Sequence, residues 1–141
     1  MISFDKMKKE DIPYIVKLEK ELLLETLGEE MLQAEMHNKY AYFIVAKSNN
    51  KPIGYIGGWI IDDYLEIINF VVDKNYQRQG IGTKLFDIIS HIETVKNCTL
   101  DVRESNNNAI NFYYHLGFKK IGERKSYYKN GEDAFILEKE F

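Results

Sequence analysis

The sequence predicts an α/β (α+β) fold with one mixed central sheet of about seven strands and helices on both faces. Runs of β-branched and aromatic residues recur along the chain, and polar or glycine-containing turns separate them. Segments with apolar residues at helical spacing stand between several of those runs. Strands come first and a strand–helix–strand succession follows, an order that indicates both antiparallel and parallel neighbours in one sheet.

The first half of the chain predicts a strand, two helices and a hairpin. Asp11 can cap the first helix, which has Pro13 in its first turn. The buried stripe of that helix comprises Ile12, Ile15, Leu18 and Leu22. The first strand, the second helix and the two hairpin strands cover residues 2–6, 29–38, 40–47 and 53–61, and a polar turn joins the last two.

The second half predicts the central strand, two helices and three further strands. The central strand, the first helix and the next strand cover residues 64–72, about 81–96 and 99–103. Asn106 is a candidate cap for a helix that ends at Gly117. Residues 118–128 and 134–141 then close the sheet around Asn130-Gly131, which is a two-residue hairpin signal.

Composition and charge favour a small enzyme over several other classes of protein. The 141 residues are predicted to form one domain, 1–141, and 45% of them are apolar, enough for a core. The net charge is only −3 and no apolar run is long enough to cross a membrane, so neither direct nucleic-acid binding nor membrane insertion is expected. A single cysteine, Cys98, and an N-terminus without an apolar signal region favour the cytoplasm. His37, His91 and His115 lack metal-ligand spacing, so no metal is expected.

The most informative segment is the glycine loop between the central strand and the following helix. Two glycines let the backbone turn tightly, and the first amides of a helix have no intrahelical partners. Such a turn is suited to a phosphate or pyrophosphate. It is not a Walker loop, because no Gly-Lys-Ser/Thr follows, and Leu85 stands where the dinucleotide fingerprint has its third glycine.

This loop and two later segments resemble the GNAT superfamily of N-acetyltransferases. Gln77, Gly80 and Gly82 are in register with its Gln/Arg-x-x-Gly-x-Gly/Ala signature. Leu-Asp-Val-Arg-Glu-Ser-Asn at 100–106 and Ala-Ile-Asn-Phe-Tyr-Tyr-His-Leu-Gly-Phe at 109–118 resemble the second signature of its RimI-type branch, the ribosomal-protein-alanine N-acetyltransferases. The resemblance runs from about residue 40 to 141 and implies the GNAT fold with splayed central parallel strands.

The resemblance also implies acetyl-coenzyme A as the acyl donor and places its binding site. Main-chain groups of Phe70, Val71 and Val72 are the expected partners of the pantetheine arm and the thioester carbonyl. Asn106 and Asn111 lie where the family contacts the coenzyme, although Asn106 is at least as good a helix cap. The loop that would wrap the pyrophosphate consists of Gln77, Arg78, Gln79, Gly80, Ile81, Gly82 and Thr83.

Tyr113 is the candidate catalytic acid. The resemblance places the family's tyrosine at this position, facing the coenzyme sulfur. A phenol of pKa about 10 is protonated at neutral pH and can donate to a departing thiolate. The alternative is an ordinary core tyrosine. Tyr114 is the natural control, because a helix turns by about 100° per residue and points it elsewhere.

Two carboxylates are candidates for the base. RimI-type enzymes carry glutamate where this chain has Asp101, which keeps the carboxylate but shortens its reach by about 1.5 Å. Either one ordered water relays the proton or the sheet lies closer to the substrate. Asp101 alternates with Leu100 and Val102 and therefore faces the other side of the sheet, where Arg103 or a lysine could instead pair with it. Glu66 is the rival, because burial inside the apolar central strand would raise its pKa.

The acceptor is predicted to be a basic protein N-terminus. Six glutamates and one lysine lie in residues 19–35, a segment that borders the acceptor groove in this fold, although a solvated helix face is their more ordinary explanation. Tyr127 and Tyr128 match the C-terminal hairpin tyrosines of the family and are candidate walls of that groove. Cross-strand packing is the alternative.

The predicted activity is acetyl transfer from acetyl-coenzyme A to the N-terminal alanine of a ribosomal protein, by a monomer or weak dimer. An α-amine suits a modest base, because neutralising it at pH 7 costs about 1 kcal/mol against roughly 4.6 kcal/mol for a lysine. The chain lacks the Pro-Trp-Ser segment common in RimI-type proteins. Two alternatives therefore stay open: an acetyltransferase of a polyamine, amino acid or aminoglycoside, and a non-catalytic acyl-coenzyme A sensor.

Overall fold

The computed structural model describes residues 1–141, which form one seven-stranded sheet flanked by four α-helices. The strands are Ile2–Lys6 (β1), Ala41–Ser48 (β2), Lys51–Ile61 (β3), Tyr64–Val72 (β4), Asn97–Arg103 (β5), Lys119–Arg124 (β6) and Ala134–Glu140 (β7). The helices are Ile12–Leu22 (α1), Gly28–Glu35 (α2), Ile81–Ser90 (α3) and Asn107–His115 (α4). The short 3₁₀ turns Lys9–Asp11 and Lys74–Tyr76 precede α1 and the glycine loop.

The sheet is mixed, as predicted. Its strand order is β1-β2-β3-β4-β5-β7-β6, and every neighbouring pair is antiparallel except β4 and β5. Helix α3 connects these two parallel strands, because a parallel pair needs a crossover. One buried apolar cluster lies between the sheet and α3 and α4, and a second lies between the opposite face and α1 and α2. The prediction of helices on both faces is therefore confirmed.

The parallel strands β4 and β5 separate soon after they begin to pair. Their register covers only Tyr64 with Asn97, Leu65 with Cys98, and Glu66 with Thr99. Beyond these three pairs, β5 continues to pair with β7 along its whole length, and β4 continues with β3. The predicted splay is thus present, and it leaves an opening in the middle of the sheet.

A β-bulge in β4 lies beside this opening. Gly57 is opposite Asn69 and Gly58 is opposite Ile67, so Ile68 is the extra residue. A bulge shifts the alternation of side chains by one position. Ile67 and Phe70 consequently both pack on the α3–α4 core, whereas Ile68 packs on the α1–α2 core. No local sequence pattern indicates this bulge.

Several predicted boundaries differ from the structure because tertiary contacts end the elements earlier. Helix α2 stops at Glu35, not 38, and α3 stops at Ser90, not 96. The Lys96 amide donates to the Asp63 carbonyl at 2.8 Å, which brings the chain to β5 before a longer helix could form. The β2–β3 turn contains only Asn49 and Asn50, whose φ angles of 51° and 66° suit a two-residue hairpin turn.

Two local predictions were wrong. Asp11 does not cap α1 with its side chain, because it ends a 3₁₀ turn. Its carboxylate instead accepts from the Lys8 amide at 2.8 Å and pairs with Lys47 at 3.1 Å. Asn130-Gly131 is not the whole β6–β7 connection, since the last paired residues are Arg124 and Ala134. The intervening loop is held by the Asp133 carboxylate, which accepts from the Ser126 amide at 2.8 Å.

Candidate active site

The opening between β4 and β5 contains a cavity of about 130 Å³. Its walls are residues 67–70 of β4 and 100–103 of β5. Residues 22–25, from the last residue of α1 onward, lie on one side, and Asn106, which precedes α4, lies on the other with Ala109 and Tyr113 of α4. Where two strands separate, their main-chain N–H and C=O groups lose the hydrogen-bond partners that a paired sheet provides. Polar main-chain groups, apolar side chains and the two candidate catalytic side chains therefore all line this cavity.

Tyr113 reaches the cavity from the α3–α4 face. Its ring packs against Phe70, Phe112 and Phe118 at centroid separations of 5.6–6.1 Å, and only 8% of the residue is exposed. Burial raises the pKa of its phenol well above the usual value, so the hydroxyl is protonated at neutral pH. Tyr114 is 44% exposed and does not line the cavity, as its position one residue later requires.

Asp101 reaches the same cavity from β5. Leu100 and Val102 pack on the α3–α4 core, so Asp101 faces the α1–α2 side, as the alternation predicted. Its Oδ2 accepts a hydrogen bond from Arg124 Nε at 3.1 Å. The partner is thus neither Arg103 nor a lysine, because Arg103 is paired with Glu132 at 3.5 Å.

Glu66 is not buried, contrary to the expectation that made it a rival base. It lies among the three positions where β4 still pairs with β5, before the opening begins. Its side chain is exposed and does not line the cavity. The expectation was wrong because an apolar run on both sides of a residue does not guarantee that a helix covers both faces of the strand.

The glycine loop presents a run of unused amides. Residues 78–83 donate no hydrogen bond to any backbone carbonyl, and the first helical bond runs from the Lys84 amide to the Gly80 carbonyl. Arg78 and Gly80 have φ angles of 64° and 77°, a left-handed conformation that turns the chain into α3. Six consecutive free amides at a helix N-terminus suit a pyrophosphate.

Gln77 has a different role from the rest of the loop. Its Nε2 donates to the Val72 carbonyl at 2.9 Å and so ties the loop to the end of β4. The Asp73 amide donates to the Ile53 carbonyl, and bonded and non-bonded positions alternate in antiparallel pairs. Val71 therefore directs its main-chain groups to β3, whereas Phe70 and Val72 direct theirs toward the open side.

The remaining predicted site residues divide between cavity and surface. Asn106 lines the cavity and also caps α4, since its Oδ1 accepts from the Ala109 amide at 3.3 Å, while Asn111 is exposed and outside the cavity. Tyr128 lines the cavity, and burial together with the charge of Asp101 raises its pKa to about 12. Tyr127 is exposed and stacks edge-on against Tyr128.

Glu19 is the main site-related residue that the sequence did not reveal. It was counted among the six glutamates of an acidic surface, but its side chain is fully buried beneath the segment that walls the cavity. Glu35 is likewise engaged, because it accepts from Trp59 Nε1 at 2.7 Å. Of the six, only Glu25 lines the cavity. The one available signal was the position of Glu19 in the helical stripe next to Ile15 and Leu18.

Two further findings concern metal binding and membrane insertion. No group of three or more His, Cys, Asp or Glu side chains is placed to hold a metal ion. None of the four helices combines the length and apolar character needed to cross a bilayer.

Comparisons with known proteins match the chain over almost its full length. The model of the Acetyltransferase (GNAT) family matches residues 9–118. A Bacillus subtilis relative, whose name describes a ribosomal protein bS18-alanine N-acetyltransferase, is 31% identical over a 136-residue alignment that covers 93% of this chain and 90% of the relative.

Solved structures show the same architecture. The ribosomal-protein-S18-alanine N-acetyltransferase from Escherichia coli superimposes with a TM-score of 0.88 at 27% identity, over 99% of this chain and 94% of that one. Arabidopsis thaliana NAA60 in complex with acetyl-CoA superimposes with a TM-score of 0.87 at 16% identity, over 100% and 99% of the two chains. The second likeness supports the fold alone.

Proposed function

The chain belongs to the GNAT family of acetyltransferases, and we propose that it acetylates the α-amine of a protein N-terminus, with the alanine terminus of a ribosomal protein as its acceptor. The observation that carries the proposal is the opening through the sheet, which Tyr113 lines from the α3–α4 face and Asp101 from the α1–α2 side. A donor and an acceptor can therefore meet there from opposite faces.

The donor in this proposal is acetyl-CoA. The free amides of residues 78–83 fit its pyrophosphate, and the open-side main-chain groups of Phe70 and Val72 fit the pantetheine arm and thioester carbonyl. Related structures have been solved with acetyl-CoA or coenzyme A bound. The amides provide hydrogen bonds and a positive helix end without any side-chain rearrangement.

The acceptor amine attacks the thioester carbonyl carbon directly, and the carbon–sulfur bond breaks as the carbon–nitrogen bond forms. Asp101 takes the proton that the amine loses, through one water because the side chain is short. Tyr113 donates its hydroxyl hydrogen bond to the sulfur. The pKa of a phenol already lies above that of a thiol, about 8.5, and burial raises it further, so Tyr113 stabilises the departing thiolate by hydrogen bonding. The thiolate then takes a proton from solvent to become the coenzyme A thiol, and Asp101 returns the proton of the amine to solvent.

The surroundings of Asp101 suit a cationic acceptor. Arg124 contacts it through a single nitrogen and remains half-exposed, so an incoming ammonium group can replace the guanidinium at little cost. Glu25 and Asp101 are the two acidic side chains of the cavity, and Arg103 is its one basic residue. A protonated N-terminus can bind there, and once it has released one proton to solvent its neutral amine can attack.

The experiment is incubation with acetyl-CoA and a panel of amines, followed by mass spectrometry. The panel contains an alanine-ended basic peptide, the same peptide with a blocked α-amine and an internal lysine, and spermidine. We expect one acetyl group on the first and none on the second. Acetylation of spermidine alone would show a small-molecule acetyltransferase, and coenzyme binding without any product would show an acyl-CoA sensor.

A further inference from the structure

Glu19 forms a dense hydrogen-bond cluster outside the reacting groups. Its Oε2 accepts from the Tyr55 hydroxyl at 2.6 Å, from Asn69 Nδ2 at 3.1 Å and from the Leu27 amide at 3.3 Å. Its Oε1 accepts from the Gly28 amide at 3.1 Å. The residue has no exposed surface. Four donors therefore converge on one buried carboxylate.

A buried carboxylate is stable only when donors replace the water it has lost. Both oxygens of Glu19 are occupied, and burial together with the negative charge of Glu19 keeps the pKa of Tyr55 high, so that hydroxyl stays a donor. An amide in place of the carboxylate would direct an NH₂ group at one of these donors. The cluster therefore requires a side chain whose two terminal atoms both accept hydrogen bonds, as those of a carboxylate do.

The donors connect Glu19 to three parts of the fold, of which β4 lines the cavity. Tyr55 is in β3, Asn69 is the cavity-lining residue next to the bulge in β4, and Leu27 and Gly28 begin α2. Gly28 has a φ angle of 83°, which a side chain would disfavour. Residues 22–25, which form one wall of the cavity, lie between Glu19 and these two amides. Glu19 therefore holds both ends of that wall.

We propose that Glu19 is a positioning residue for the acceptor: it fixes residues 22–25 and Asn69 around the cavity and so determines how tightly the acceptor amine binds. It contacts neither reactant. This inference rests on the proposed function, because it takes the α1–α2 side of the cavity as the acceptor side. It predicts a defect confined to the acceptor, since the glycine loop and Tyr113 lie on other elements.

The test compares Glu19→Gln with Glu21→Gln, an exposed glutamate two residues along the same helix. For Glu19→Gln we expect the acceptor KM to rise on the order of tenfold, the scale of a lost charged hydrogen bond, with the acetyl-CoA KM unchanged. Glu21→Gln should change neither. Equal increases in both KM values, or a lower Tm with an unchanged acceptor KM, would overturn the proposal.

Tyr55→Phe provides a milder second variant if Glu19→Gln folds poorly. It removes one donor and leaves the carboxylate with three. It should therefore also raise the acceptor KM, but by less than Glu19→Gln does. An unchanged acceptor KM in a folded Tyr55→Phe protein would contradict the proposal.

Amide hydrogen exchange separates this inference from the proposed function. Glu19→Gln should accelerate exchange at Leu27 and Gly28 and leave α3 unchanged, whatever amine the protein acetylates. If the unmodified protein acetylates no amine but this acceleration is seen, the proposed function fails and the positioning of the wall by Glu19 stands. Unchanged exchange at both amides would overturn the positioning role.

Discussion

At the scale of single residues, the site depends on two side chains with different surroundings. Tyr113 is enclosed by aromatic rings and its phenol is protonated, whereas Asp101 is partly exposed and held by one exchangeable ion pair. The sequence predicted Tyr113 from its register with Gly117-Phe118, and the alternation of β5 predicted the side of Asp101. It did not predict the partner Arg124, which is 23 residues away along the chain.

Removal of the Tyr113 hydroxyl should impair the chemical step. Tyr113→Phe keeps the ring packed in its aromatic cluster, so the fold should remain, and kcat should fall by about 10²-fold or more because the developing thiolate loses its hydrogen bond. Tyr114→Phe, at an exposed position, should have little effect. Steady-state kinetics of both variants measures this, and equal losses would show that Tyr113 has no special role.

Neutralising the correct carboxylate should remove the acidic limb of the pH–rate profile. A base accepts a proton only when it is deprotonated, so Asp101→Asn should abolish the acidic limb and lower kcat/KM by about 10²- to 10⁴-fold. Glu66→Gln should retain both the acidic limb and the kcat/KM of the unmodified protein. Asp101→Glu should be tolerated, with at most a few-fold loss where the longer side chain displaces the relaying water. The opposite pattern would move the base to β4 and favour small amines as acceptors.

At the scale of elements, the splay and the bulge create the site, and only the splay was predicted. Apolar β-branched runs locate strands well, and the glycine loop located the β4–α3 junction. The bulge at Ile68 follows from pairing with Gly57 and Gly58, residues that are distant in sequence, so no local pattern indicates it. The burial of Glu19 likewise depends on Tyr55 and Asn69, which lie 36 and 50 residues away.

A substitution in the glycine loop should weaken binding of the donor. Gly80→Ala places a side chain at a φ angle of 77°, which costs roughly 1–2 kcal/mol in a left-handed conformation and would move the free amides. We expect the Kd for acetyl-CoA to rise about five- to thirty-fold by calorimetry. Gly131→Ala is the matched control, because Gly131 has a φ angle of 87° in equally open space but lies in the β6–β7 loop. Equal Kd values for the two variants would contradict a role for this loop.

At the scale of the whole molecule, two cores on opposite faces hold one sheet that is open at its centre. The helices on one face carry the glycine loop and Tyr113, and those on the other carry the wall at residues 22–25. Fold and acetyltransferase family could be predicted from sequence because local motifs determine them. Recognition of the acceptor, by contrast, depends on side chains from several elements. That the acceptor is an alanine terminus therefore stays a prediction.

Donor binding should stabilise the whole fold. A ligand that binds only the folded state adds about 2.7 kcal/mol at one hundred times its Kd, and the donor would contact β4, the glycine loop and α4 together. Acetyl-CoA should therefore raise the Tm by several degrees in a thermal shift assay. The increase should be smaller for Gly80→Ala at the same ligand concentration, and no increase for the unmodified protein would contradict the assigned donor site.

The most direct measurement is a crystal structure with a conjugate that joins coenzyme A through an acetyl group to the α-amine of an alanine-ended peptide. The pyrophosphate is expected on the amides of residues 78–83, the sulfur beside the Tyr113 hydroxyl, and the peptide nitrogen within one water of Asp101. The peptide itself should leave the cavity along residues 22–25. A peptide that leaves on the α3–α4 face, or a linking acetyl group outside the opening between β4 and β5, would contradict transfer through the sheet.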